Sequence, residues 1–185
     1  MGRLQYAALC SLDGYTSDAD GAFDWAAPDE QVHAFVNELE RPVGTYLFGR
    51  SMYETLAVWQ TISGPEHHPI ENDYADIWRS AEKVVYSTTL DAVTTPRTRL
   101  EREFDPGAVR QLVEASDQAV SIGGPGLGTH AFRAGLVDDV HLFLNPVVVG
   151  GGTRALPDGV RQDLELVDEH RFGNGVVYLH HRRRS

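Results

Sequence analysis

Two glycine-centred turns carry the strongest chemical signal in this sequence. Phe48-Gly49-Arg50-Ser51 and Ile122-Gly123-Gly124-Pro125-Gly126 each follow a short apolar run and precede a segment with helical spacing. Backbone N–H groups at a helix N-terminus point at an anion, the helix dipole adds partial positive charge, and glycine lets phosphate oxygens approach the main chain. Neither turn fits G-x-G-x-x-G or the P-loop pattern, so each alone reads first as a tight turn and second as a phosphate site. Arg50 has two readings, a bidentate phosphate clamp or a surface ion pair with Glu54 one helical turn on. Ser87-Thr88-Thr89 ends another apolar run. If the three runs are neighbouring parallel strands, their polar ends meet in the crevice where such sheets bind nucleotides.

Other reactive side chains point to less. Cys10 is the single cysteine and sits in an apolar run, which excludes an internal disulfide and suggests a packed small hydrophobe. His67 and His68 lie between prolines and read as a solvated loop, since a metal would need further ligands. No C-x-x-C, H-E-x-x-H or H-x-E with P-C-x-x-C pattern occurs, so neither a paired metal site nor a fused zinc deaminase is expected. Arg182-Arg183-Arg184 is the one basic cluster, readable as a phosphate-seeking tail or, more plainly, as a solvated chain end.

The elements that must position the glycine turns follow from periodicity. The spacing predicts strands over Leu4–Leu12, Thr45–Phe48, Lys83–Tyr86 and Ala119–Ile122. It predicts helices over Asp29–Leu39, Met52–Val58, Glu71–Ala81, Pro106–Ala115 and Thr129–Ala134. Alternation of the two implies a mostly parallel sheet covered on both faces. The last third changes character: an apolar run Val140–Val149 is followed by Leu164–Arg171 and Val176–His181 across Gly173-Asn174-Gly175, a hairpin signal.

The 185 residues suit one domain, 1–185, with a core of its own. A net charge of -11, from 27 acidic and 16 basic residues, opposes nucleic-acid binding. The N-terminus lacks the apolar core of a signal peptide and no stretch is apolar enough to span a bilayer, so no membrane contact and a cytoplasmic location are expected.

Four ordered blocks resemble a known family. They are Ser11-Leu12-Asp13-Gly14, the block Phe48–Glu54, the block Val120–Leu127, and Asp138–Leu142 leading into Pro146–Gly152. Together they resemble the dihydrofolate-reductase-like family, in its branch of riboflavin-pathway reductase domains and stand-alone relatives. The resemblance implies a three-layer α/β fold: a mixed, mostly parallel central sheet flanked by helices, with a C-terminal antiparallel hairpin. It implies NADPH, or NADH, as cofactor and a small heterocyclic or sugar-derived substrate reduced by hydride transfer.

On that resemblance Gly49, Arg50 and Ser51 hold one phosphate side of the cofactor, with Ser87 and Thr88 beside the adenosine ribose. Ile122, Gly123, Gly124, Gly126 and Leu127 hold the pyrophosphate from the other side. Ala8, Leu9 and the loop from Asp13 to Thr16 lie near the nicotinamide, the loop as a lid. Relatives often read Ser-Arg-Thr where this chain has Ser87-Thr88-Thr89, which leaves Arg50 to meet a 2'-phosphate and keeps both cofactors open. Glu30 is the closest match to the carboxylate that dihydrofolate reductases place on their first helix; the plainer reading of Asp29 and Glu30 is helix capping. Trp25, His33 and Tyr53 line a substrate pocket, or belong to the core. The resemblance further implies a cis peptide between Gly123 and Gly124, and a homodimer using the apolar run Leu142–Val149. A cofactor-binding sensor without turnover is the alternative to an enzyme.

Overall fold

The computed structural model describes residues 2–184. Its centre is an eight-stranded sheet in the order β5-β4-β3-β6-β1-β7-β10-β9. The strands are β1 (Leu4–Ser11), β3 (Val43–Gly49), β4 (Glu82–Tyr86), β5 (Thr98–Glu101), β6 (Ala119–Gly123), β7 (Asp139–Asn145), β9 (Leu164–Arg171) and β10 (Val177–Arg183). Strands β5 to β7 in that order are all parallel, and β10 and β9 add an antiparallel hairpin on β7. A two-stranded sheet pairs β2 (Tyr15–Ser17) with β8 (Thr153–Arg154).

Alternation along each strand divides the side chains between two faces. On one face Leu4, Tyr6, Ala8, Cys10, Val120 and Ile122 pack against α4 (Pro106–Ala115) and α5 (Pro125–Arg133) through Val109, Val113, Leu127 and Phe132. On the other, Tyr46, Phe48 and Val85 meet α2 (Arg50–Leu56) and α3 (Pro69–Ser80) through Tyr53 and Trp78. There Phe143 and Tyr178 also meet α1 (Glu30–Glu40) through Val32 and Phe35. Cys10, 1% exposed, is the packed hydrophobe its neighbours suggested.

Several boundaries differ from the sequence reading. Helix α5 starts at Pro125, four residues before Thr129, because proline fits the first helical position and Gly124 turns the chain into it. Helix α3 starts at Pro69, where His68 forms a capping box with Glu71, so the second histidine of the loop opens a helix. Strand β7 stops at Asn145, since Pro146 cannot donate to the ladder. The short strands β2, β5 and β8 have no sequence counterpart in the reading above.

The arginines at the chain end are not a solvated tail. Arg182 Nε donates to Asp139 Oδ1 at 3.1 Å and Arg183 Nη2 to Asp138 Oδ1 at 2.9 Å, because β10 carries both beside the start of β7. Asp139 also accepts from Arg3 Nε at 2.5 Å and contacts His180 Nε2 at 2.8 Å. Next to it His141 Nδ1 lies 2.7 Å from the Tyr178 hydroxyl, and its ring stacks on His180 at 4.3 Å. Burial pushes the His141 pKa down to about 4, so it is neutral at pH 7.

Candidate active site

Parallel pairing aligns the polar strand ends. Phe48 pairs with Gly123, Gly49 with Tyr86, and Tyr86 with Glu101, so the turns after β3, β4, β5 and β6 stand side by side on one edge of the sheet. Three helices elsewhere are capped by their own side chains: Asp29 accepts from Val32 N, His68 from Ile70 N, and Asp105 from Gly107 N. The two helices that follow the glycine turns, α2 and α5, have no side-chain cap. Their first-turn N–H groups are therefore left for solvent or a ligand, and they lie on the same edge.

Gly124 makes the second turn at φ +89°, a conformation that costs glycine little and a residue with a Cβ much more. All peptide bonds among the described residues are trans, so the expected cis bond between Gly123 and Gly124 is absent. The positive φ alone redirects the chain into α5, and no isomer is needed. A Cβ built on Gly126 meets no atom within 4 Å beyond its chain neighbours and the backbone of its own helix. That open side belongs to a cavity of about 410 Å³, which Thr129, Arg133, Thr153 and Arg154 also line. A cradle of bare main chain beside open space is what close approach of a pyrophosphate requires, and in this respect the residues fit a dinucleotide.

Arg50 makes the ion pair of its plainer reading. Its Nε donates to Glu54 Oε1 at 2.8 Å, and its Nη1 reaches across to Thr89 Oγ1 at 3.1 Å, leaving the guanidinium half exposed beside the turn after β4. Ser51 and Thr88 are exposed on the same edge. Ser87 Oγ is taken up by Thr89 N and Leu90 N at 3.2 and 3.0 Å, so it shapes the turn. Ala8, Ile122 and Leu127 are buried in the core and Leu9 packs against it, so their side chains serve packing.

The loop read as a lid is tied down. Asp13 accepts from Val149 N at 3.1 Å and Gly150 N at 2.7 Å, and hydrogen bonds from Ser11 and these amides hold its carboxyl below the usual range. Thr16 Oγ1 donates to Thr153 O at 3.2 Å, within the β2–β8 pair. The pair closes because residue 152 is glycine, where a Cβ would stand 2.0 Å from Ser17 O.

On the other face the residues assigned to a substrate pocket separate. His33, half-buried, packs at 5.9 Å from the Trp59 ring and 5.8 Å from Tyr74, and burial lowers its pKa. Trp25 is half-buried on its own short 3-10 turn, Asp24–Ala26, with Nε1 bonded to Ala22 O. Tyr53 does not line a pocket. It is 3% exposed, and its hydroxyl accepts from Thr94 N and Thr95 N at 2.9 and 3.1 Å, because its position on α2 points it under the β4–β5 connection. Asp29 takes the cap of α1, and Glu30 stands exposed beside it with its carboxylate unbonded among the described residues.

Three arginines on this edge escaped the sequence reading. Arg102, just past β5, donates to Ser87 O at 3.1 Å and Leu90 O at 2.6 Å and so holds the turn beside Arg50. Arg133 and Arg154 face the cavity. Helix α5 carries Arg133, whereas only the pairing of β5 with β4 and of β2 with β8 brings Arg102 and Arg154 there, and strands of four, three and two residues leave no periodic signal.

Comparison with known proteins agrees with this architecture. The chain is 27% identical over 182 residues to the uncharacterised Bacillus subtilis protein YyaP, covering 96% of this chain and 93% of that one. A Shewanella sp. PV-4 protein provisionally assigned to riboflavin biosynthesis superposes with a TM-score of 0.77 at 17% identity, covering 99% of both chains. The Thermotoga maritima deaminase and 5-amino-6-(5-phosphoribosylamino)uracil reductase gives 0.68 at 16% identity; all but 1% of this chain matches 57% of that longer protein. A pyrimidine reductase-like protein of Corynebacterium diphtheriae gives 0.67 at 14% identity, covering 100% of this chain and 92% of that one. Residues 3–178 match the RibD C-terminal domain, and the chain belongs to that family.

Proposed function

We propose that this protein is a reductase that uses NADPH, with NADH as a second possibility, to reduce a small heterocyclic or sugar-derived substrate of the kind named for the Thermotoga relative. The observation that carries the reading is the pair of uncapped helix N-termini, α2 and α5, side by side on the strand edge that also holds Arg50. A bound nicotinamide supplies the hydride. The chain's own residues bind and orient it: the N–H groups of Gly124, Gly126 and Leu127 and of the first turn of α2 meet phosphate oxygens, and Arg50 meets the adenosine end. Glu30, exposed at the start of α1, is the carboxylate that holds a polar substrate group or a proton. We further propose a homodimer, supported by the exposed apolar side chains Val148, in the turn after β7, and Leu166 and Val167, on the edge strand β9.

The pinned loop between Asp13 and Ser17 favours a second reading, a cofactor-binding sensor, because turnover that needs a moving lid is impeded. Nicotinamide fluorescence on adding the protein, followed by stopped-flow absorbance with pyrimidine and imine substrates, tests both. The enzyme reading predicts binding and then oxidation with at least one substrate class. Binding that is never followed by oxidation leaves the sensor, and no binding of either nicotinamide contradicts both.

A further inference from the structure

Among the described residues eight buried side-chain polar atoms lack a hydrogen-bond partner, and six of them belong to α1, α3 and β3. His33, Asn37 and Glu40 contribute three of these from one side of α1, at spacings of four and three residues. Asn37 spends its amide N–H groups on Ile70 O and Asp73 Oδ2 of α3, at 2.9 and 2.7 Å, and its Oδ1 is left over. Glu40 is 6% exposed with Oε2 unpartnered. The groups that face it are phenols: Tyr46 from β3, whose hydroxyl is itself without a hydrogen-bond partner, and Tyr74 from α3. Among the described residues no cation pairs with it, for the adjacent Arg41 turns instead to Glu38 at 2.7 Å and Asp73 at 2.9 Å. Burying an ionised carboxyl without a cation is costly, and a native protein meets that cost by keeping the proton or by admitting water.

We infer that the α1–α3 seam is a pH-sensitive latch: Glu40 stands there as a neutral acid beside Tyr46 and Tyr74, and loss of its proton draws water between the two helices. The proton leaves to solvent and no other group changes its bonding order. Burial raises the ionisation of Glu40 to about pH 7, so the latch works at physiological pH. Helix α1 also carries Glu30 and His33, so its seating changes where those two side chains stand. The latch itself does not depend on which ligand the opposite edge of the helix serves.

Amide cross-peaks of the intact protein, followed by NMR from pH 5 to 8.5, test the inference. The expected result is one shared midpoint near neutral pH in residues 36–41, 45–47 and 72–78, absent from α4, and lost in Glu40→Gln. Persistence of that midpoint in Glu40→Gln would assign it to His33 and overturn the latch, as would a seam that does not titrate. Should Glu40→Gln fail to fold, Tyr46→Phe decides. Removing the hydroxyl that favours the ionised carboxyl moves the midpoint upward by roughly half to one pH unit, and an unmoved midpoint contradicts the inference.

Discussion

The two ends of the parallel strands are built from similar residues and use them differently. At the end where β7 begins, Arg3, Arg182, His180 and Asp139 satisfy one another, and Asp139 is buried beneath them. At the other end, two helices start without side-chain caps, Gly126 faces open space, and Arg50 keeps half its surface exposed. Closed polar groups stabilise the sheet, whereas open ones are available to a ligand. Variants should therefore separate along this axis: substitutions at the closed end cost stability, and substitutions at the open end cost binding.

The largest effect is expected at Asp139. Asp139→Ala strands two arginines and a histidine, and breaking such a group costs about 3 kcal/mol here, toward the lower end of the usual range because the arginines are partly exposed. Urea unfolding measures it, and NADPH affinity of the folded variant should be unchanged. An equal loss of affinity would mean that the two ends are coupled.

The next effect depends on pH. His141 has a folded pKa near 4 against 6.5, so its contribution is present above 6.5 and lost as pH falls toward 4. Glu40 has a folded pKa near 7 against 4.5, so its contribution is fully present below 4.5 and lost as pH rises to 7. Across the shared window the two oppose, and wild-type stability should be nearly level. His141→Asn should leave stability falling with pH and Glu40→Gln should leave it rising, each by about 3 kcal/mol over the window. Unfolding curves at several pH values check both, and matching slopes in the two variants would refute the assignment.

At the open end binding should change more than stability. Gly126→Ala adds a methyl group to a helix position where it meets nothing, and should stabilise by about 0.5 kcal/mol. The same methyl group occupies the cradle, so NADPH binding should weaken roughly tenfold, or about 1.4 kcal/mol. Arg50→Ala should change stability least, by about 0.5 kcal/mol or less, since it removes an exposed pair with Glu54. It should weaken NADPH binding by about 1.5–3 kcal/mol, and NADH binding by less, if its guanidinium meets the 2'-phosphate. Equal losses would move Arg50 to the pyrophosphate.

Much of this architecture was legible in the residues because it rests on long periodic segments. Pro106–Ala115 was read with its observed boundaries, and the hairpin across Gly173-Asn174-Gly175 followed from its turn residues. The glycine turns were legible as turns because glycine after an apolar run marks the end of a strand. What was missed depended on partners far along the chain: β5 exists through its pairing with β4, and β8 through a glycine that fits against Ser17. Tyr53 was misplaced because helical spacing gives a direction on α2 but does not reveal that the segment at Thr94 passes over it. The cis peptide was carried over from the resemblance, and nothing in Gly123-Gly124 itself requires it.

The claim that the open edge is a dinucleotide site is tested most directly by a crystal structure of the chain grown with NADPH. The pyrophosphate is expected within 2.7–3.2 Å of main-chain N–H groups between residues 124 and 127, with the Arg50 guanidinium at the adenosine end. A saturated crystal in which those N–H groups face only water, or in which the cofactor lies elsewhere, would contradict it.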